Sequence, residues 1–171
     1  MISRISSLTG PISFSPKPRI AYRYYRFNTT KIKDKTADGA GNPEGLIQIS
    51  EFQLQYAGTR IDYTGATATN PGGTNPAGEE APKGIDNTTA TKWLDSSNRS
   101  VRSLVVDFGS AKIADSFKFA TANDTEGRDP IQWTVDGSND SNNWTTLHTQ
   151  NTDASITSSR NTYTQVFYFT K

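Results

Sequence analysis

Between Pro82 and Trp93 the sequence runs PKGIDNTTATKW, which gathers one carboxylate (Asp86), hydroxyls at Thr88, Thr89 and Thr91, and a closing tryptophan. Hard cations such as calcium take several oxygen ligands from carboxylates, hydroxyls and backbone carbonyls that converge from a tightly turned loop. Gly84 and Asn87 tolerate the backbone angles that aim successive carbonyls inward. Trp93 would seat such a loop by burying its ring beneath it. One carboxylate is few for calcium, so a plain polar turn built on Asp86 and Asn87 explains the spacing equally well.

A second group of polar side chains lies in ANDTEGRDP, where Asn123, Asp124, Arg128 and Asp129 share one loop. Polar groups placed by a rigid scaffold, together with an aromatic platform, are what exposed sugar recognition requires. The competing reading has Arg128 and Asp129 pairing or capping the loop ahead of Pro130. Catalysis is not expected. The one histidine, His148, has no nucleophile signature around it and is expected at the surface. The carboxylate neighbours Glu79 with Glu80, and Asp124 with Glu126, read as solvated loop charges, because glycosidase chemistry needs two carboxylates held across a cleft. No glycine-rich phosphate loop follows a strand.

The elements that must position these residues read as short strands. Segments 20–33, 47–56, 103–108, 116–121, 131–135 and 166–169 are β-branched or aromatic, and several alternate: Leu104, Val106 and Phe108 fall on one face, as do Phe117 with Phe119, and Ile131 with Trp133 and Val135. In 47–56 the alternation slips around Ser50 and Glu51, which predicts a bulge. Polar turns separate the strands, and no long amphipathic helix is evident, so the fold class is all-β, a sandwich. The stretch from Gly65 to Pro82 is a long polar loop, expected to be functional or mobile. Residues 1–19 read as an extended amino-terminal arm, with Ile2, Ile5, Leu8, Ile12 and Phe14 in no sustained period, expected to clamp onto a partner.

Composition narrows the function. A chain of 171 residues is one domain with room for a core. Its 18 basic and 17 acidic residues nearly cancel, so no global field draws nucleic acid or an anionic membrane. The run RIAYRYYRF mixes arginine with aromatics as single-strand binders do, but it reads as a sandwich strand. Absence of cysteine excludes disulfides, thiolate catalysis and the usual zinc sites. No apolar run reaches membrane-spanning length, and the first residues lack the apolar core of a secretory leader.

Taken together, these pieces resemble the discoidin-like domains, also called F5/8 type C or galactose-binding-like modules. DNTTATKW is similar to that family's Asp-Gly-Asn-x-Ser-Thr-x-Trp loop, and LVVDFG (104–109) to its strand ending in Asp-Leu-Gly. RDPIQWTVDGSNDSNNWTTL (128–147) resembles its Arg-Asp-Pro and Gly-Ser-Asn-Asp stretch. RYYRF (23–27) and ISEFQL (49–54) resemble its Arg-Tyr-x-Arg and Ile-Ser-Glu strands. The resemblance covers roughly residues 20–170 and implies a discoidin-like jelly-roll sandwich at 20–171. The order differs: the last two strands close the domain in the family and open it here. A circular permutation accounts for this, and it requires Tyr22 and Thr170 to lie close together.

The resemblance implies a structural calcium held by Asp86 and by Glu51 of the Ile-Ser-Glu strand. Thr91 would add its hydroxyl or carbonyl, and Lys83 and Thr88 their carbonyls. Asn87 stands where the family has Gly, and Thr88 where it often has Asn or Asp. The resemblance also implies a non-catalytic module that binds glycans through loops at one end of the sandwich. Trp93, Trp133 and Trp144 fall at motif positions more often in the core, which leaves Tyr63 as the aromatic candidate beside Asn123, Asp124, Arg128 and Asp129. Similar domains with the same Arg-Tyr-Tyr-Arg and Thr-Ala-Asn-Asp style occur in bacteriophage tail and surface proteins. The expectation is therefore a virion-surface or otherwise extracellular-facing protein, homo-oligomeric, that attaches to host glycans. The alternative is a decoration or connector protein that docks on other virion subunits through its arm without binding sugar.

Overall fold

The computed structural model describes residues 20–36 and 44–170; the arm expected at 1–19 lies outside the described residues. The regular structure of the described residues is antiparallel strand, apart from two short 3-10 turns, with long loops between. In chain order the strands are β1 (Ala21–Ile32), β2 (Ile47–Ile49), β3 (Glu51–Tyr56), β4 (Thr59–Arg60), β5 (Thr67–Thr69), β6 (Trp93–Asp95), β7 (Arg102–Ile113), β8 (Ser116–Ala120), β9 (Pro130–Ser138), β10 (Thr145–Gln150) and β11 (Phe167–Tyr168). A five-stranded sheet runs β10-β9-β1-β7-β5, a four-stranded sheet runs β11-β8-β3-β4, and β2 pairs with β6. The two larger sheets form the sandwich. Among the described residues no helix is long and apolar enough to cross a membrane.

Alternation builds the core. Along β7, Leu104, Val106 and Phe108 are buried while Ser103, Val105 and Asp107 face outward. From β1, Tyr25 and Phe27 point inward beside Trp133 and Val135 of β9, and all four are 0% exposed. The facing sheet answers with Phe52 and Leu54 from β3 and Phe117 and Phe119 from β8. Phe27 lies at the centre, its ring 5.4 Å from those of Phe52 and Phe119 and 5.9 Å from that of Trp133. Rings meeting edge-on or tilted add specific attraction to the area they remove from water.

Two strand expectations change in detail. The slip at Ser50 and Glu51 is not a bulge: β2 ends at Ile49 against β6, and β3 starts at Glu51 in a different sheet. Gln48, Ser50 and Glu51 are all buried because the chain crosses between sheets there, which removes the polar alternation a one-sided strand would show. His148, expected at the surface, is half-buried. Its Nδ1 lies 3.0 Å from the Tyr168 carbonyl, and its ring packs edge-on against Phe117 and flat against Trp133.

Candidate functional site

The predicted cation loop follows a short 3-10 turn, Ala81–Gly84, that rests on the core. A Cβ on Gly84 would come within 2.9 Å of Leu104 Cδ2 and 3.2 Å of Trp93 Cβ, so only glycine lets the loop settle this deeply. Trp93 is 0% exposed and supports the loop from below. Asn87 takes a left-handed backbone with φ of 66°, which asparagine tolerates better than most residues. Its N–H then points at Glu51 and donates to Oε2 at 3.0 Å. Asp86 accepts the Thr91 hydroxyl at 2.7 Å and the Thr88 N–H at 3.3 Å, and Lys83 Nζ lies 3.7 Å from it.

Glu51 is a desolvated carboxyl. Its side chain is fully buried, Arg60 Nη2 is 3.6 Å from Oε1, and that oxygen accepts no hydrogen bond. Burial pushes its pKa up to about 7 and the Asp86 charge adds to this, against the Asn87 N–H and Arg60. A buried carboxylate with an unused oxygen beside a second carboxylate suits a hard cation. Among the described residues no group of three or more His, Cys, Asp or Glu side chains is placed to hold a metal, so backbone and hydroxyl oxygens would complete the shell.

The predicted ligand residues separate. Tyr63 is in the core, 8% exposed; its hydroxyl accepts the Leu54 N–H at 2.9 Å and donates to the Phe52 carbonyl at 3.0 Å. It ties β3 to the following loop and offers no open face, a correction to its place as the aromatic candidate. Asp124 binds the buried Lys92 ammonium at 2.8 Å and lies 4.0 Å from Arg128. Asp129 is 0% exposed and forms a forked pair with Arg160 rather than with its neighbour Arg128. Burial raises the Asp129 pKa, with Arg160 opposing. Asn123 is exposed at the loop tip. Most of this loop's polar groups are thus used in holding the fold.

A different surface is open. The outer face of the five-stranded sheet carries a cleft of about 520 Å³. Strand register builds its floor: Thr67, Asp107 and Tyr24 stand in one row across β5, β7 and β1, and Thr69, Val105 and Arg26 in the next. One wall is Trp144, from the turn between β9 and β10, and the other is Pro71 with Arg99. That turn is held by Asp140, which accepts the N–H groups of Asn142 and Asn143. The far wall belongs to the long Gly65–Pro82 loop, which is pinned to β6: Asn75 donates to the Leu94 carbonyl at 2.6 Å, and Asp95 accepts the Thr74 N–H.

Arginine side chains organise the cleft. The Arg26 guanidinium lies 4.2 Å above the Trp144 ring and donates through Nε to Asp136 at 2.7 Å. Arg23 grips both oxygens of Asp107 at 2.8 Å, which holds that carboxyl below its ordinary value. Sequence reasoning placed Trp144 in the core and passed over Tyr24, Arg26 and Arg99. The alternation of RYYRF was the available signal, since Tyr25 and Phe27 inward force Tyr24 and Arg26 outward.

No curated protein and no solved structure matches this chain. A family model for the F5/8 type C domain matches residues 65–171, more than half its length. Domains of that family are often carbohydrate-binding modules. The antiparallel sandwich agrees with the match, and the chain belongs to the F5/8 type C, or discoidin-like, domain family.

Proposed function

We propose that this chain is a non-catalytic module that binds a saccharide in the sheet-face cleft and serves host attachment on a bacteriophage virion. The observation that carries the saccharide reading is the cleft itself. Two part-exposed rings, Tyr24 and Trp144, stand among hydroxyls of Thr67, Thr69 and Ser141 on a rigid sheet. Apolar ring surface with a few fixed hydrogen-bonding groups is what a sugar's alternating C–H faces and hydroxyls require. The virion setting is supported by the sequence resemblance of RYYRF and TAND to phage tail proteins. Homo-oligomerisation fits a site of modest single-copy affinity, because several linked sites multiply avidity.

Two further parts of the reading concern construction. Calcium held by Glu51 and Asp86, with oxygens of Lys83, Thr88 and Thr91, would neutralise two adjacent carboxylates and tie the loop to β3. Circular permutation is supported by the family match starting at residue 65, which leaves out β1 to β4, and by the convergence of both ends of the described chain on one turn.

A glycan array tests the function. Wild type binds a subset of glycans, and Trp144→Ala, folded by circular dichroism, loses about tenfold or more in affinity. Binding to no glycan at all would sink the function. Full binding by Trp144→Ala would move it away from this cleft.

A further inference from the structure

We propose that the cleft selects acidic saccharides, those bearing a carboxylate or a sulfate ester, through Arg26 and Arg99; this rests on the saccharide reading of the same cleft. Arg26 is held at two points, by Asp136 on Nε and by the Trp144 ring beneath it, and among the described residues its two Nη groups find no hydrogen-bond acceptor. A guanidinium fixed this way has already lost its side-chain freedom, and it keeps a planar pair of donors matched to two anionic oxygens. Its location beside an aromatic wall allows one sugar residue to touch the ring while its acidic group meets the fork.

The charge balance points the same way. Around the cleft stand three guanidinium groups, Arg23, Arg26 and Arg99; two carboxylates, Asp107 and Asp136, pair with the first two, and a third, Asp140, accepts hydrogen bonds from Ser138, Asn142 and Asn143 within the wall turn. Both oxygens of Asp107 are taken by Arg23, and Gly109 N–H donates to it as well at 2.7 Å. Asp136 is buried under Arg26 and also accepts from Asn28 at 2.7 Å. Both Asp107 oxygens and Asp136 Oδ2 are therefore engaged inside the protein, while Asp136 Oδ1 is buried away from the cleft's solvent without a hydrogen bond. Arg99 makes no ion pair among the described residues; its Nη1 donates only to the Pro71 carbonyl, at 3.3 Å. Arg99, exposed on the wall beside Pro71, is thus a cleft cation with no carboxylate partner among the described residues. A neutral sugar gains only hydrogen bonds from it, whereas an anionic one gains charge pairing as well.

Matched polymers provide the test. Polygalacturonate is compared with its fully methyl-esterified form, and dextran sulfate with dextran, by calorimetry on the full chain. The expected result is at least about tenfold tighter binding to one charged polymer than to its neutral counterpart, weakening as salt is added. Preference for polygalacturonate assigns a carboxylate, and preference for dextran sulfate a sulfate. Arg99→Gln lowers affinity for the charged polymer about tenfold, a larger loss than it causes for the neutral one. Arg26→Lys, which keeps the charge but loses the fork, lowers it as well. Equal binding of charged and neutral polymers, or full charged-polymer affinity in Arg99→Gln, overturns the acidic preference and leaves the saccharide reading standing. Equal binding of single-stranded DNA by wild type shows a mere polyanion response and also overturns it. Loss of all binding, neutral and charged, defeats both readings.

Discussion

Glu51 carries a cost that depends on pH and on what sits beside it. Its carboxyl is removed from water, faces Arg60 at 3.6 Å and feels Asp86, and its pKa stands at about 7 against an ordinary 4.5. Between those values the folded chain holds a proton that the unfolded chain has released. Stability therefore falls as pH rises from about 4.5 to about 7, by roughly 3 kcal/mol in all. In chelator, the wild type is expected to melt progressively lower across that window, while Glu51→Gln stays flat and is the more stable of the two at pH 8. Calcium favours the ionised carboxylate, so its addition raises the wild-type midpoint at pH 8 and leaves Glu51→Gln unmoved. Identical wild-type midpoints in calcium and chelator would remove the cation from the account. A wild type with no pH response would show that the carboxyl is not desolvated.

β1 decides most of the architecture, because it lies between β9 and β7 and presents one face to each side of the sheet. The inner face of β7 was legible from sequence, since strict alternation leaves one choice of buried set; that of β1 was not, because its phase shifts between Tyr22 and Tyr24 and Asn28 and Thr29 are buried beside Phe27. The cleft was not legible. Its floor unites positions in β1, β5 and β7 that only register brings together, and Trp144 lies part-exposed beside Arg26 rather than in the core. The turn at Asp86 was legible because the residues that close it, Thr88 and Thr91, are its near neighbours in sequence, whereas Tyr63 was misplaced because nothing local shows that its hydroxyl spans β3. β1 also leaves no slack against β9. A Cβ on Gly137 would sit 2.4 Å from Tyr22 Cδ2 and 2.6 Å from Cγ, within a ring that is 8% exposed and packed against Tyr25. Gly137→Ala is expected to cost about 1–3 kcal/mol, seen as a lower urea midpoint at unchanged m-value. An unaltered midpoint would mean that the Tyr22 ring yields freely.

At the scale of the whole molecule, the two ends of the described chain come to one corner. Ala21 stands opposite Ile113 at the end of β7, and Phe169 donates its N–H to the Asp115 carbonyl at 2.8 Å, so β1 starts and the chain finishes at the same β7–β8 turn. The Tyr25 and Phe169 rings stack 6.5 Å apart just inside it. Opposite in character is the Ala57–Gly58 turn between β3 and β4, which is exposed and already in left-handed backbone. If the strand order is a permutation of the family's, exchanging these two points should restore the usual order without disturbing the core. A variant that joins Thr170 to Ile20 through about four residues and opens the chain between Ala57 and Gly58 tests this. Closing one short loop and opening another alters chain entropy little, so its stability is expected within about 2 kcal/mol of the parent, with one cooperative transition. Its cleft residues all lie on strands and turns that the exchange leaves intact, and saccharide affinity should match the parent as well. A variant that fails to unfold cooperatively, although the linker spans the corner, would show that β1 to β3 belong at the start of this chain for reasons a permutation does not supply.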